Sequence, residues 1–104
     1  MAASWCPNCI DELNELAQMN PADLSDISIV VVSDEPIEKI VSFKTNRQYP
    51  FVFLKLTKAF ADIGIASIPT AYLFNTSFQI VKQSVGAIQW SDPSTRQHLK
   101  TLMN

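Results

Sequence analysis

The sequence predicts a single layered α/β domain that spans residues 1–104. Patterns typical of helices alternate with patterns typical of strands, which indicates a sheet flanked by helices. Hydrophobic residues make up 47% of the 104 residues, an ordinary share for a globular protein, and the length suits one domain. No internal repeat, low-complexity tract or linker interrupts the chain, so we expect it to fold as one unit.

The first half of the chain predicts two helices around a buried strand. Pro7 suits the first turn of a helix that runs to about Met19, because its missing N–H is no loss there. The run 27–33 is apolar and β-branched, as are the buried strands of parallel sheets. A second helix begins after Asp34-Glu35-Pro36 and continues to about Arg47.

The middle of the chain predicts shorter elements. Phe51 to Leu54 form a short strand or an extended apolar segment. Thr57 is expected to cap a brief helix that passes through Phe60 and ends at Gly64.

The last third predicts a hairpin and a closing helix. A strand over 70–74 turns through 75–77 into a second strand over 78–85. A final helix starts at Ser91-Asp92-Pro93, and its inner face is expected to carry Leu99, Leu102 and Met103.

Composition excludes several classes of function. The net charge is −2 and the basic residues are scattered singly, so nucleic acid is not an expected partner. The two glycines, Gly64 and Gly86, are too few for a dinucleotide-binding or phosphate-binding glycine loop. No apolar stretch approaches the roughly 18–20 residues of a membrane-spanning helix.

The two cysteines, Cys6 and Cys9, point to redox chemistry. A secreted disulfide scaffold of this size carries several bridges, but two cysteines can form only one. A structural zinc site needs four ligands, but besides the two cysteines the chain offers only the distant His98. Cys6 falls at the predicted start of the first helix, where unpaired N–H groups favour a thiolate. Cys9 lies one turn deeper and is expected to be less exposed.

This separation gives each sulfur a role in thiol–disulfide exchange. The Cys6 thiolate attacks a substrate disulfide, and Cys9 then attacks Cys6 and releases the reduced substrate. Trp5 is expected to form an apolar lip that partly shields the pair, while Pro7 and Asn8 influence which redox form is preferred. Two alternatives stay open for Cys6 and Cys9. They are inert cysteines of the core, or they bind copper or a zinc ion shared between subunits.

Two motifs resemble those of a known family. Trp5-Cys6-Pro7-Asn8-Cys9 is similar to the WCxxC signature of the thioredoxin superfamily. Together with Ala3 and Ser4, it resembles the TlpA-like thiol–disulfide oxidoreductases, which include reductases of cytochrome c maturation. The segment from Gly64 to Thr70 resembles the second motif of that family, whose proline is cis and faces the cysteines. The resemblance covers nearly the whole chain and implies a thioredoxin-like central sheet flanked by helices.

The resemblance also implies roles for individual residues. Cys6 is the nucleophile and Cys9 the resolving thiol, and a cis Pro69 leaves the Ile68 backbone free to pair with an extended substrate. The expected substrate-binding residues are Trp5, Pro7, Asn8, Ile68, Pro69 and Thr70. The expected partners are a protein disulfide, which the chain reduces, and an upstream thiol reductant. No dissociable cofactor or metal is required, because the cysteine pair stores the electrons.

The chain departs from this family at its start. In the fold that it resembles, a central strand precedes the cysteine motif, but only Met1 to Ser4 do so here. We therefore expect an N-terminally truncated domain that lacks this strand. Its strands over 27–33 and 70–74 either pair directly or accept a strand from a partner, through a homodimer or strand exchange. The buried carboxylate that the absent strand often carries has no equivalent, and Glu12 is expected to be a solvated acid.

Other functions stay possible on the same fold. The chain is alternatively a non-enzymatic metal-handling or interaction domain, or an inactive fragment. The sequence leaves localisation open, because the family includes periplasmic and membrane-tethered proteins, whereas a true start at Met1 predicts a cytoplasmic one.

Overall fold

A computed structural model describes residues 1–19, 27–86, 88–90 and 92–103. The helices are α1 (Pro7–Gln18), α2 (Ile37–Arg47) and α3 (Pro93–Met103), and a short 3-10 helix spans Phe60–Ile63. The strands are β1 (Val30–Ser33), β2 (Val52–Lys55), β3 (Thr70–Phe74) and β4 (Ile80–Val85). This alternation confirms the predicted α/β class. Within the described ranges, no helix is both long enough and apolar enough to cross a membrane.

The four strands form two two-stranded sheets. β1 pairs in parallel with β2, and β3 pairs antiparallel with β4, with an irregularity between Leu73 and Phe74. The strand predicted over 27–33 begins only at Val30, because its partner strand begins at Val52, directly opposite. Among the strands that the structure describes, β1 and β3 do not pair with each other, so the direct pairing expected as one alternative is not formed.

The first residues of the chain connect these two sheets. The Ala2 N–H donates a hydrogen bond to the Val32 carbonyl at 2.9 Å. The Met1 ammonium group donates to the Thr70 carbonyl at 2.8 Å, and the Thr70 N–H donates back to the Met1 carbonyl at 3.4 Å. Met1 and Ala2 therefore lie between β1 and β3 and lead directly into the cysteine motif.

The hairpin turn is longer than predicted. The Asn75 side-chain oxygen accepts hydrogen bonds from the N–H groups of Ser77 and Gln79, at 2.9 and 3.0 Å. Because these bonds extend the turn, β4 begins at Ile80 and not at residue 78. The predicted inner face of the last helix (Leu99, Leu102 and Met103) lies outside the side chains that the structure describes.

An aromatic cluster next to α2 fills much of the core. The Phe43 ring meets Tyr49 edge-on, with 5.4 Å between ring centroids, and Tyr49 stacks on Phe51 and Phe53 at 6.0 and 6.1 Å. The same core includes residues of α1 and β1, namely Cys9, Leu13, Leu16 and Val31. This packing holds α1, and with it the cysteine motif, against the sheet.

Gly64 ends the 3-10 helix, as predicted, although Ala59 and not Thr57 precedes that helix. The Gly64 φ angle is 82°, and an added Cβ would meet no atom within 4 Å. A side chain at this position therefore loses stability through backbone conformation alone, by about 1–2 kcal/mol.

We expect Gly64→Ala to lower the free energy of unfolding by about 1–2 kcal/mol in a urea titration. Gly64→Asn should lower it less, because asparagine tolerates the left-handed region better than alanine. Equal losses in the two variants would show that conformation is not the cause.

Candidate active site

The cysteine motif lies at the N-terminus of α1. Cys6 is the N-cap residue, with an extended backbone (φ −100°, ψ 106°), and Pro7 occupies the first turn. The Cys9 N–H donates to the Cys6 sulfur at 3.2 Å. The sulfur therefore satisfies one of the N–H groups that the first turn of a helix leaves free. The predicted position of Cys6 at a helix start is confirmed.

Cys6 and Cys9 are joined by a disulfide, with their Cα atoms 5.2 Å apart. Cys6 is 5% exposed and Cys9 is 1% exposed, so the predicted order holds, but the difference is small. The Ile68 carbonyl oxygen lies 4.0 Å from the Cys6 sulfur, and Ala2 and Ala3 belong to the same buried cluster as the two cysteines. In this oxidised form, only a small part of Cys6 is open to solvent.

The second predicted motif lies beside the cysteines. The peptide bond between Ile68 and Pro69 is cis, as the resemblance implied. The Pro69 carbonyl accepts a hydrogen bond of 2.7 Å from the Gly86 N–H, which ties this segment to the end of β4. The fold thus brings together two motifs that are 62 residues apart in the chain.

The six expected substrate-binding residues differ in accessibility. Trp5 is 69% exposed, so most of its indole surface is open to solvent. Pro7 and Asn8 are also exposed, Ile68 is half-buried and Pro69 is buried.

Thr70 is buried directly after the cis Pro69. It is 3% exposed, its hydroxyl donates to the Ser67 carbonyl at 2.6 Å, and its backbone N–H and carbonyl are both bonded to Met1. The polar groups of Thr70 are engaged within the chain, and its backbone bonds tie the cis-proline segment to Met1. The expectation that Thr70 contributes to substrate binding stays a prediction.

Glu12 is buried, so the expectation of a solvated acid is wrong. It is 9% exposed, and the Trp90 indole N–H donates to its Oε1 at 2.8 Å. Its Oε2 is buried without a hydrogen-bond partner among the described residues. The spacing of three residues after Cys9 places both side chains on one helix face, and this signal is visible in the sequence. The covering Trp90 is 78 residues away and gave no local signal.

Burial raises the pKa of Glu12 above its ordinary value of 4.5. Hydrogen bonds from Trp90 and from the Ile88 backbone, together with the Met1 ammonium charge, lower the pKa less than burial raises it. Burial also lowers the pKa of the Met1 amino group, and the Glu12 charge opposes this change. Glu12 and Cys9 both line a cavity of about 220 Å³ that lies between β1 and β3.

A second buried carboxyl group holds the segment before the cysteines. Glu35 is 7% exposed and accepts two hydrogen bonds of 2.6 Å, from the backbone N–H and the hydroxyl of Ser4. Sequence reasoning assigned Asp34-Glu35-Pro36 only to the start of α2 and missed this contact. No local pattern could have revealed it, since Ser4 and Glu35 are 31 residues apart.

In the part of the chain that the structure describes, no group of three or more His, Cys, Asp or Glu side chains is placed to hold a metal ion. His98 is exposed on α3.

Solved structures share this arrangement of helices and strands. The crystal structure of StoA from Bacillus subtilis matches with a TM-score of 0.71 and 25% identity, over 99% of this chain and 78% of the StoA chain. This chain has a thioredoxin-like fold. A protein described as a thiol:disulfide interchange protein, DsbE, from Chlorobium tepidum matches with a TM-score of 0.72 and 20% identity. That match covers 98% of this chain and 75% of the other. The predicted fold class is confirmed.

A curated relative is named for thiol–disulfide chemistry. Sporulation thiol-disulfide oxidoreductase A of Bacillus subtilis is 29% identical over a 104-residue alignment. The alignment covers 93% of this chain and 59% of the relative, so the chain spans about three fifths of that protein's length. No protein-family model matches the chain.

Proposed function

We propose that this chain is a thiol–disulfide oxidoreductase that transfers electrons from the Cys6–Cys9 pair to protein disulfides. The observation that carries the proposal is the Cys6–Cys9 disulfide at the N-terminus of α1, beside the cis Pro69. The names of the similar proteins support the same chemistry. The motif from Ala3 to Cys9 supports placement among the TlpA-like reductases.

The reaction moves two electrons in two exchange steps. In the reduced chain, the Cys6 thiolate attacks one sulfur of a substrate disulfide, the substrate S–S bond breaks, and the other sulfur leaves as a thiolate. The Cys9 thiolate then attacks the Cys6 sulfur, the Cys6–Cys9 bond forms, and the second substrate sulfur leaves. The substrate gains two electrons and two protons, and an upstream thiol reductant restores the cysteine pair.

Exposed groups around Cys6 are proposed to bind the substrate. Trp5, Pro7 and Asn8 lie at the surface next to the cysteines. The Ile68 carbonyl lies 4.0 Å from the Cys6 sulfur, where an extended substrate segment can pair with this backbone. Substrate disulfides in extended segments are therefore expected to react faster than those in helices.

Glu12 is proposed to accept the proton of Cys9 during the second step. Cys9 is 1% exposed, so bulk water is poorly placed to take this proton. Glu12 follows one turn later and lines the same cavity. A carboxyl group whose pKa is raised by burial is closer in proton affinity to a thiol than an ordinary carboxyl group is.

An insulin-reduction assay with dithiothreitol as the electron source tests the proposed function. We expect the wild-type chain to accelerate precipitation of the insulin B chain, and a variant with both cysteines changed to serine to match the uncatalysed rate. If wild type and the double variant have equal rates, the proposed function is wrong.

The direction of electron flow requires a separate measurement. A reductase needs a pair more reducing than glutathione, so we expect Cys6 and Cys9 to be mostly oxidised in a glutathione buffer poised at about −240 mV. Alkylation of free thiols followed by mass spectrometry gives this fraction. A mostly reduced pair in the same buffer would indicate an oxidase.

We also propose that a second copy of the chain supplies an extended segment between β1 and β3. Their facing edges flank the cavity next to Glu12, and among the described residues Met1 and Ala2 pair with one end of this gap. Unpaired strand edges favour association with another chain. Light scattering after size-exclusion chromatography should give twice the chain mass of 11.6 kDa. A monomer mass at micromolar concentration would contradict the proposed association.

A further inference from the structure

We propose that Glu35 is a positioning residue, which fixes the geometry of the cysteine motif by holding Ser4. The inference rests on the proposed exchange reaction and extends it to a residue outside the cysteine and proline motifs. Ser4 lies two residues before Cys6. Its N–H donates to one Glu35 oxygen and its hydroxyl donates to the other, each at 2.6 Å. Hydrogen bonds to a carboxylate are shorter and stronger than those between neutral groups.

Glu35 is itself held by several neighbours. The Ser33 hydroxyl donates to its Oε1 at 3.3 Å, and the Glu35 N–H donates to the Ser33 oxygen at 3.2 Å. The Lys55 ammonium group donates to the Glu35 carbonyl at 2.9 Å, which ties this loop to β2. The adjacent Asp34 accepts a hydrogen bond of 3.0 Å from the Phe60 N–H. The Glu35 backbone is therefore anchored to both strands of one sheet, and its carboxylate is held by Ser33 of β1.

The position of Ser4 explains why the motif needs this support. Met1 and Ala2 are fixed by bonds to β1 and β3, Ala3 is buried, and α1 begins at Pro7 after the N-cap Cys6. Ser4 and Trp5 are therefore the more exposed part of the link between them. Trp5 is 69% exposed and contributes little packing to this link. The two bonds from Ser4 to Glu35, together with the bond of 3.2 Å from the Cys6 N–H to the Ala3 carbonyl, therefore set the backbone path into the N-cap residue Cys6.

This support matters most in the reduced protein. The disulfide constrains Cys6 while it is present, but reduction removes that constraint. The contact between the Cys6 sulfur and the Cys9 N–H then depends on the backbone that enters the helix. Loss of the Ser4–Glu35 contact is therefore expected to make the Cys6 sulfur a poorer acceptor and a less reactive thiolate.

Glu35→Gln distinguishes a role through the position of Ser4 from a role through the negative charge of Glu35, because the two roles predict different results. If Glu35 acts through its negative charge, neutral glutamine should increase Cys6 reactivity, because a nearby negative charge disfavours a thiolate. If Glu35 acts by position, glutamine should preserve reactivity, since its oxygen can accept from the Ser4 N–H and its amide can donate to the Ser4 hydroxyl.

The experiment measures the rate at which iodoacetamide alkylates Cys6 in the fully reduced chain at fixed pH, with Cys6 resolved by peptide mass spectrometry. We expect Glu35→Ala to lower this rate about tenfold, as the loss of one strong hydrogen bond would. Ser4→Ala, which keeps the backbone bond, should lower it about threefold. Glu35→Gln should stay within about twofold of wild type. Glu38→Ala, which removes an exposed carboxylate from α2, is the matched control and should match wild type.

The ranking of the variants decides the inference. Faster alkylation in Glu35→Gln, or a loss in Glu35→Gln as large as in Glu35→Ala, would overturn it. Equal rates in all variants, with only the thermal midpoint lowered, would show a purely structural role and would also overturn it. If Glu35→Ala does not fold by circular dichroism, the comparison of Ser4→Ala with wild type decides the matter. Alkylation needs no protein substrate, so this ranking is independent of whether wild type reduces insulin.

Discussion

Cys6→Ser is expected to abolish insulin reduction, whereas Cys9→Ser should stop the reaction at a mixed disulfide with the substrate. Cys6 caps α1 and is slightly more exposed than Cys9, so we propose that its sulfur forms the bond to substrate. In this proposal, Cys9 acts only to break that bond. The turbidity assay measures the first effect, and a non-reducing gel shows the second as a covalent adduct that dithiothreitol removes.

Asp11→Asn is the matched control for both cysteine variants, because Asp11 is an exposed residue of the same helix. It should reduce insulin at the wild-type rate. Appreciable turnover by Cys6→Ser would contradict the assigned order of attack, as would an adduct that forms through Cys9 in the Cys6→Ser protein.

Glu12→Gln is expected to slow the second exchange step by about 10²-fold, the lower end of the effect of a general base. Glutamine keeps the shape of the side chain and can still accept from the Trp90 indole, but it cannot take a proton from Cys9. The mixed disulfide should then accumulate before it decays. Rapid acid quenching and mass spectrometry measure its lifetime, and a wild-type lifetime in Glu12→Gln would exclude the proton transfer.

The same variant should change how stability depends on pH. Because burial raises the pKa of folded Glu12, the folded protein keeps this proton at pH values where the unfolded chain releases it. The stabilisation is complete below the ordinary pKa of 4.5 and is lost as the pH rises through the raised value. Urea titrations across this range should show a fall in wild-type stability that Glu12→Gln lacks. A fall of the same size in both proteins would assign it to another group.

Local features made part of this site predictable from the sequence. Pro7 after Cys6 marks a helix start, and the CxxC spacing places two sulfurs one turn apart, so the N-cap position of Cys6 followed from adjacent residues. The cis peptide bond before Pro69 followed from the resemblance of its motif. Fold class followed from the alternation of helical and strand patterns.

Features that depend on distant partners were not predictable. Glu12 is covered by Trp90, 78 residues away, and Glu35 holds Ser4 from 31 residues away, so neither contact leaves a local pattern. The start of β1 depends on where β2 begins, because a strand ends where its hydrogen-bond partner ends. Long-range packing therefore determines the surroundings of both carboxyl groups. The sequence alone led to a wrong expectation for Glu12 and gave no sign of the Glu35 contact.

The pH dependence of alkylation at each cysteine tests the central claim most directly. In the reduced wild-type chain, we expect iodoacetamide to modify Cys6 much faster than Cys9, with a half-maximal rate below the pH of about 8.5 at which an ordinary thiol ionises. Such a profile means that the helix N-terminus stabilises a reactive thiolate at Cys6. Faster modification of Cys9, or a Cys6 profile centred at or above about pH 8.5, would contradict the account.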